Sequence, residues 1–591
     1  MSKERVEKLG RRDFLKGAFA LGAIGAAGAA LGACAPQSGD GDKGSGGGGA
    51  GGGSGEAEGG ELMTAEKFNN ATWSFDVAPE PVPESEITQT ITSEVIVIGS
   101  GVSGLVTAAS VLNNGGQCIL FSAGTKAVSR GGSNHAIGTK TQQRLGLVDY
   151  TPDKVVNHFQ NEISRQGYRI DCRKWWTWIN RSGEAMDWIT DIMDEAGYTT
   201  TLEVPYVDVD GGVFSIPSGA HNFYGPEIDN SANNGEPLLT ATLEKYIASK
   251  GGEIHYTTKA EYLVREADNT GRVSGVIASN ADGSYVKYEG SKGIVLATGD
   301  FSGSPDLMAK YCSAYQDLVS IEGGDYDAEF QFGGLMPGDG HKMALWVGGA
   351  WQHTNPCAPM IGWYGFPAPE SDMNHPGILL NKEGQRFMNE SSTSVYAGYT
   401  IQCQSDNAVY TIFDSNFLPH WPTYNGLGVN MDLLGTQPIS AAEKLVEIEA
   451  GVESGGWVKG DSIDEVLAQL DGLDVENARK TIERYNGFCD AQHDDDFHKT
   501  DKYLLKIEQG PFYGAVNTIG PSQFLATCGG IRCNDELAVL DKDNKPIEGL
   551  YVVGSAVGDS FGTFYNFRVP GQNLGMNCVT QPYLLGQRLG K

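Results

Sequence analysis

The sequence predicts an α/β protein built on a Rossmann-like nucleotide-binding domain, and two observations carry that prediction. Val95 to Ile98 form an apolar β-type run, Gly99, Gly101 and Gly104 follow as GxGxxG, and Leu105 to Leu112 continue at helical spacing. A second apolar run, Cys118 to Ser122, comes next, so strand, glycine turn, helix and strand stand in the order that a dinucleotide-binding unit requires. The length of 591 residues, 40% of them hydrophobic, is enough for two or three packed domains.

The glycines have separate physical tasks. They permit the tight turn and the close approach of backbone to a pyrophosphate, and the following helix, opened by Val102 and Ser103, turns its positive end toward the phosphates. At the end of the second strand, where an acidic residue commonly bonds the adenosine ribose, Ser122 and Ala123 stand instead. Serine can bond a hydroxyl, but the loss of one charge-assisted bond weakens the hold by about 1 kcal/mol.

Residues 1–34 read as a targeting segment. Arg11 and Arg12 open RRDFLKG, a Gly/Ala-rich apolar stretch runs from Ala18 to Leu31, and LGAC ends at Cys34. Twin arginines before a short, weakly hydrophobic region are the address of Tat export, which moves folded, cofactor-loaded proteins. LGAC resembles a lipobox, with Cys34 the acylated residue of a bacterial lipoprotein; cleavage near Ala33 to Pro36 with Cys34 incidental is the alternative. Residues 39 to 60 are a Gly-rich tract too poor in apolar groups to pack. Such a chain spans about 25 Å on average, as a tether between anchor and enzyme would.

The acidic balance excludes some partners. With 74 Asp and Glu against 43 Lys and Arg, the net charge is −31, which repels nucleic acid and anionic membrane surfaces alike. Ten cysteines are scattered without a CxxC or CxxCH, so c-type haem, the common iron–sulfur spacings and any other metal site are not expected. Electrons must come from a separate partner, a cytochrome or quinol-linked carrier. Cys528 and Cys533, the closest pair, are candidates for a disulfide after export.

From Ser93 to the C-terminus the chain resembles the fumarate reductase and succinate dehydrogenase flavoprotein superfamily, which also holds urocanate reductases and ketosteroid dehydrogenases. Its landmarks occur in family order. GGSNHAIG, with Gly131, Gly132, Ser133, Asn134 and Gly138, resembles the segment passing the pyrophosphate and isoalloxazine, and the strand around Ala260 resembles the one with adenine contacts. GIVLATGDFSG, with Ala297, Thr298 and Gly299, is similar to the ATGGF turn, and GDGHKMAL, with Asp339, to the TGDG helix start. NKEGQRFMNE at Asn381 to Glu390 resembles a capping-domain segment, and IEGLYVVGSAVG, with Gly554 and Ser555, the second FAD strand. The resemblance implies FAD as cofactor and an inserted α+β capping domain.

The implied organisation is a signal at 1–34, a linker and extension at 35–92, FAD-binding parts at 93–350 and 523–591, and a cap at 351–522 between them. Helical patterns from Asp461 to Phe488 belong to that cap, while DCRKWWTWINRSGEAMDWITDIM and PLLTATLEKYIAS are helices of the FAD domain. Near the C-terminus, Gly571, Gln572, Asn573, Leu574 and Gly575 precede an apolar helix whose N-terminus would face the flavin N1 and C2 carbonyl. Reduction places negative charge there, which a helix N-terminus stabilises.

At the substrate end the sequence departs from its relatives. The resemblance puts the carboxylate-gripping arginine at Arg568, with altered spacing in RVPGQN. Its histidine position falls on Leu525 and Ala526, and its catalytic arginine falls near Leu418. A dicarboxylate needs two charge-assisted clamps, so fumarate itself is not expected.

The remaining candidates are Tyr565, a phenol whose pKa a neighbouring Arg568 would lower for proton donation, and Arg386 with Glu390, either a relay or a structural ion pair. His135 and His353 are read as structural histidines, with covalent flavin attachment at His135 an alternative. Phe561, Phe564, Tyr565, Phe567, Trp351, Trp363 and Tyr364 are either core or the walls of a flat pocket.

These readings predict an exported, lipid-anchored reductase delivering hydride from FAD to an activated C=C bond of a small aromatic acid or enone. Reductive benzylic C–O cleavage, dehydrogenation in the reverse sense, and an electron-relay lipoprotein are the alternatives; a relay needs an exposed flavin edge, whereas a long cap predicts enclosure.

Overall fold

Long apolar runs that cannot alternate between wet and dry faces must be covered on both sides, and those runs make the centre of this molecule. The computed structural model describes residues 72–203, 206–207, 215–216, 219–225, 235–266, 268–313, 325–328, 336–354, 358–361, 377–390, 394–420, 440–519, 524–562, 565 and 569–591. The twin-arginine run, Cys34 and the glycine tract lie outside the described residues. Ser74 to Lys591 form one unit.

Val95, Ile96, Val97 and Ile98 are all buried at the end of the strand Ile87–Ile98. That strand pairs in parallel with Cys118–Phe121 on one side and Tyr285–Leu296 on the other. Glu253–His255 and Pro546–Val552 extend the parallel order outward. Ala538–Leu540 and the pair Thr258–Val264 and Gly275–Asn280 add antiparallel strands to complete an eight-stranded sheet. The architecture is thus the predicted α/β one, with a parallel nucleotide-binding sheet.

The helix Val102–Asn113 packs on this sheet through ten buried positions running from Val102 to Val111. It also holds the C-terminal helix Gln581–Leu589, where Ser110 Oγ donates to the Tyr583 carbonyl at 2.7 Å. The tryptophan-rich segment forms the helix Cys172–Glu195, N-capped by Asp171. Its buried indoles are anchored: Trp175 Nε1 donates to Ser560 O at 2.7 Å and Trp178 Nε1 to His135 O at 3.0 Å.

Residues 378 to 518 contain a second, antiparallel sheet in the order Ile378–Leu380, Ala408–Asp414, Phe512–Thr518, Val458–Gly460. The strand Ala408–Asp414 is buried along its whole length. Helices Ile463–Leu467 and Val475–Ala491 cover it, in the Asp461 to Phe488 region where the 3.6-residue period predicts helix. Each starts at a side-chain cap, Ser462 and Asp474 respectively, which satisfies backbone donors that the first turn leaves open.

The candidate disulfide is not present. Cys528 and Cys533 are both buried and free, because the backbone between them turns through Gly529 and Gly530 and commits them to different partners. Cys528 lies opposite Ala358, and Cys533 opposite Val539. Among the described residues no helix is long and apolar enough to cross a membrane.

Candidate cofactor and substrate site

The three glycines of the first turn shape a cleft at the C-terminal ends of the parallel strands. Gly99 has φ +112°, and a Cβ there would lie 2.3 Å from the Ala297 carbonyl oxygen. Gly104 lets the helix settle onto the turn, since its Cβ would lie 1.9 Å from the Gly99 carbonyl oxygen. At Gly101 a Cβ would meet no protein atom within 4 Å. Gly101 is also the N-cap of a 12-residue helix that no side chain caps. Open space before uncapped N–H groups suits a phosphate.

The cleft encloses about 1470 Å³, part of it open to solvent. Gly99, Gly101, Val102, Ser103, Ser122, Ala123, Gly131, Gly132, Ser133, Ala260, Ala297, Thr298, Gly299, Asp339, Ser555, Asn573, Leu574 and Tyr565 all line it. The first strand turn thus meets the C-terminal segment across one elongated space, which fits a dinucleotide carrying a flavin.

Five sequence-predicted contacts are not on the lining. Gly104 packs behind the turn, as above. Gly554 faces the start of the same helix, where a Cβ would lie 2.7 Å from Ser103 Oγ. Asn134 is fully buried and donates to Glu236. Gly138 and Gln572 complete the group; Gly138 has φ +76°, which suits it to the turn leading into the Thr139-capped helix Lys140–Arg144.

The C-terminal motif needs a similar correction. Gly571, at φ +70°, precedes the helix, but Gly575 lies inside a π-helical turn, Leu574–Thr580. There it admits another backbone, for a Cβ would lie 1.9 Å from the His135 carbonyl oxygen. Ser555 is tied into a polar chain: Asn573 Nδ2 donates to Ser555 Oγ at 3.1 Å, and Asn577 Nδ2 to Asn573 Oδ1 at 2.9 Å.

Arg386 and Glu390 are elsewhere. The guanidinium donates twice to Glu390, at 2.9 and 2.7 Å, and twice to Asp494, at 3.1 and 2.9 Å. Tyr485 and Phe497 pack over its faces, and none of the five lines the cleft. A buried, fully engaged ion cluster is a structural strut rather than a proton relay, and the Asp494 carboxyl is held down at about 2 despite its burial, chiefly by the Arg386 hydrogen bonds.

Tyr565 does line the cleft, yet its pKa moves opposite to the sequence expectation. Burial disfavours the phenolate and raises it well above the ordinary tyrosine range. The phenol therefore stays protonated. Its ring packs 4.8 Å from that of Phe561. Arg568, Phe564, Phe567, Trp363 and Tyr364 lie outside the described residues.

The two histidines are structural. His135 is fully buried, with Nδ1 2.9 Å from Pro570 O and Nε2 2.9 Å from Tyr150 Oη. Burial pushes it down to about 3, and with both nitrogens engaged it offers no site for a flavin bond. His353 Nδ1 lies 2.8 Å from Asp559 Oδ2. Trp351 stacks on Tyr311 at 3.6 Å, beside Phe301 and His341, and so belongs to an aromatic cluster rather than the cleft wall. Leu418, at the implied position of the catalytic arginine, packs against the Phe413 and Phe417 cluster.

The structure adds residues that sequence reasoning passed over. Arg130, Lys259, Asp300, Tyr326 and Cys528 line the cleft. Asp300 Oδ2 accepts from Thr527 N and from Ser302 Oγ, each at 2.8 Å. Its Oδ1 lies 3.6 Å from Arg130 Nη1, and burial raises its pKa while Arg130 opposes the shift. A signal existed: the aspartate interrupts the glycine pair in ATGDF. Tyr326 Oη donates to Asp339 Oδ2 at 2.6 Å, which fixes the first residue of the helix Asp339–Trp346.

Fold and cleft together define a flavin-dependent oxidoreductase. Residues 94–568 match the FAD binding domain family. Vinyl phenol reductase of Lactiplantibacillus plantarum is 26% identical over 532 residues, covering 84% of this chain and 95% of that protein. Digoxin reductase of Eggerthella lenta is 25% identical over 608 residues, covering 94% and 93%. The open conformation of a flavocytochrome c3 fumarate reductase superposes with a TM-score of 0.60 at 20% identity, over 89% of this chain and 84% of that one. The chain belongs to the FAD binding domain family, and its cofactor is FAD.

Proposed function

We propose that this chain is an exported reductase that adds hydrogen across an activated C=C bond of an uncharged aromatic or enone acceptor. The observation that carries this reading is the composition of the cleft's inner end. Ala526 and Cys528 stand on the strand where the flavoprotein resemblance implies a carboxylate-gripping histidine, and the Arg130 charge is matched by Asp300. Among the described residues at this end the one arginine is thus paired with a carboxylate, which suits an uncharged acceptor better than a dicarboxylate. The relatives that act on a vinyl phenol and on digoxin, by their names, support the same class.

FAD, when bound, supplies two electrons as hydride to one carbon of the double bond. Tyr565, protonated and cleft-lining, is the candidate proton donor to the other carbon. The Gly101 helix end would hold the pyrophosphate, and Ser122 would take the ribose hydroxyl that an acid commonly binds. The aromatic cluster around Phe561 and Trp175 closes off water behind the phenol.

The chain has no CxxCH, so a separate cytochrome or quinol-linked carrier delivers the electrons. The Arg11 and Arg12 segment directs Tat export, and acylation at Cys34 with the glycine tether holds the enzyme at the outer face of the cytoplasmic membrane. Anaerobic reoxidation of a viologen donor tests the catalytic part. Turnover with 4-vinylphenol or an enone, and little with fumarate, is expected. Rapid turnover with fumarate, or a reduced flavin that no organic acceptor reoxidises, would overturn it.

A further inference from the structure

The carboxyl group of Asp300 is 2% exposed and sits on the cleft wall among Arg130, Ala526, Cys528 and Tyr565. One oxygen is fully committed. Oδ2 takes the Thr527 N–H and the Ser302 hydroxyl, so the carboxyl plane is fixed from both sides. The other oxygen, Oδ1, is buried and accepts no hydrogen bond among the described residues. Arg130 Nη1, 3.6 Å away, neutralises its charge without reaching hydrogen-bond distance. Buried acceptors are satisfied in nearly all folded proteins, so an acceptor held rigid and unsatisfied beside a ligand cleft points to a donor that arrives with the ligand.

We place that donor on the substrate because of the strand that holds the carboxyl group. Thr527, which holds Oδ2, directly follows Leu525 and Ala526, where the resemblance implies a substrate-gripping histidine. The chain thus lacks a carboxylate-binding side chain on this strand and presents a carboxylate of its own beside it. Such a group offers an ionised acid no donor and accepts from a hydroxyl.

We infer that Asp300 is the specificity-determining residue of the cleft: its Oδ1 accepts a hydrogen bond from a phenolic or other hydroxyl of the acceptor and disfavours carboxylate substrates. This rests on the reductase reading above and adds a substrate requirement to it, a hydroxyl donor. An ether in the same place leaves Oδ1 unsatisfied, the kind of mismatch that discriminates strongly.

The test separates binding from turnover. The FAD-loaded enzyme is titrated with 4-ethylphenol and with 4-ethylanisole, which has the same ring but no donor, while the flavin absorbance is followed. Wild type is expected to bind the phenol at least about tenfold more tightly, the worth of one bond to a charged acceptor. In Asp300→Asn, which turns an N–H toward the ligand, and in Asp300→Gly, the preference collapses with FAD content unchanged. With 4-vinylphenol as substrate, KM rises by about tenfold or more in both variants while kcat changes little. Equal binding of phenol and anisole by wild type would overturn the inference, as would a preference that survives in either variant. So would equal loss of both ligands, the mark of a merely structural carboxylate. Selective phenol binding without reduction of any alkene would leave Asp300 its role and sink the reductase reading instead.

Discussion

A Cβ on Gly104 would stand 1.9 Å from the carbonyl oxygen of Gly99, so the first helix can reach the nucleotide turn only because residue 104 is glycine. Gly104→Val forces these segments apart and is expected to lower FAD affinity by at least about tenfold and to destabilise the sheet, at a cost of about 1–3 kcal/mol for overpacking. Gly101→Ala adds a methyl to open space. It is expected to keep the melting temperature of the apoprotein while weakening FAD retention. Flavin content by absorbance, with thermal melts of both apoproteins, checks the pair.

The Arg386, Glu390 and Asp494 cluster predicts a stability effect without a catalytic one. Glu390→Gln removes one partner of a guanidinium whose side chain is 3% exposed. Breaking such a buried pair costs about 3–5 kcal/mol. Chemical unfolding should show the loss, and the KM of the enzyme that remains folded should not move.

Tyr565 predicts the reverse. Tyr565→Phe keeps the ring that packs on Phe561 but removes the proton. The kcat for alkene reduction is expected to fall by about 10²–10⁴-fold, with FAD content and melting temperature near wild type. A variant with wild-type kcat would exclude the phenol as donor.

Buried histidines set the acid side of the stability profile. Burial pushes His135 down to about 3, and His221 and His341 down to about 4. The unfolded chain binds protons on these imidazoles below about 6.5, so the unfolded state gains as pH falls from there, by about 1.4 kcal/mol per pH unit for each. Glu236 works in the opposite sense. Burial pushes it up to about 8, so the folded state holds a proton that the unfolded state releases above about 4.3, and the glutamate offsets one histidine. Melting temperatures should therefore drop between pH 6.5 and 4.5 with a slope near that of two histidines, and His341→Asn should flatten it.

Export is testable in the producing cell. Arg11→Lys with Arg12→Lys is expected to leave the folded protein in the cytoplasm, and Cys34→Ala to release it from the membrane fraction. Membrane-bound protein after Cys34→Ala would exclude the lipid anchor.

The local pattern of the sequence determined the nucleotide-binding turn, because its information is contiguous: strand, glycines, helix and second strand lie within residues 95–122. The same holds for the long helices, such as Cys172–Glu195 and Val475–Ala491, whose period is local. Residues of that turn, Gly99, Gly101, Val102 and Ser103, line the cleft as expected, whereas the later lining residues were reached only through the family resemblance.

Only the tertiary structure decided which polar groups share the cleft. Asp300 meets Thr527 across 227 residues of sequence, and Arg386 meets Asp494 across 108. No spacing rule links residues so far apart. Burial, too, is a property of the assembled fold, which is why Tyr565 is raised by desolvation where a neighbouring cation had been expected to lower it. Sequence thus determined where the cofactor turn lies, while packing decided which carboxylate is a strut and which has an oxygen without a hydrogen bond on the cleft wall.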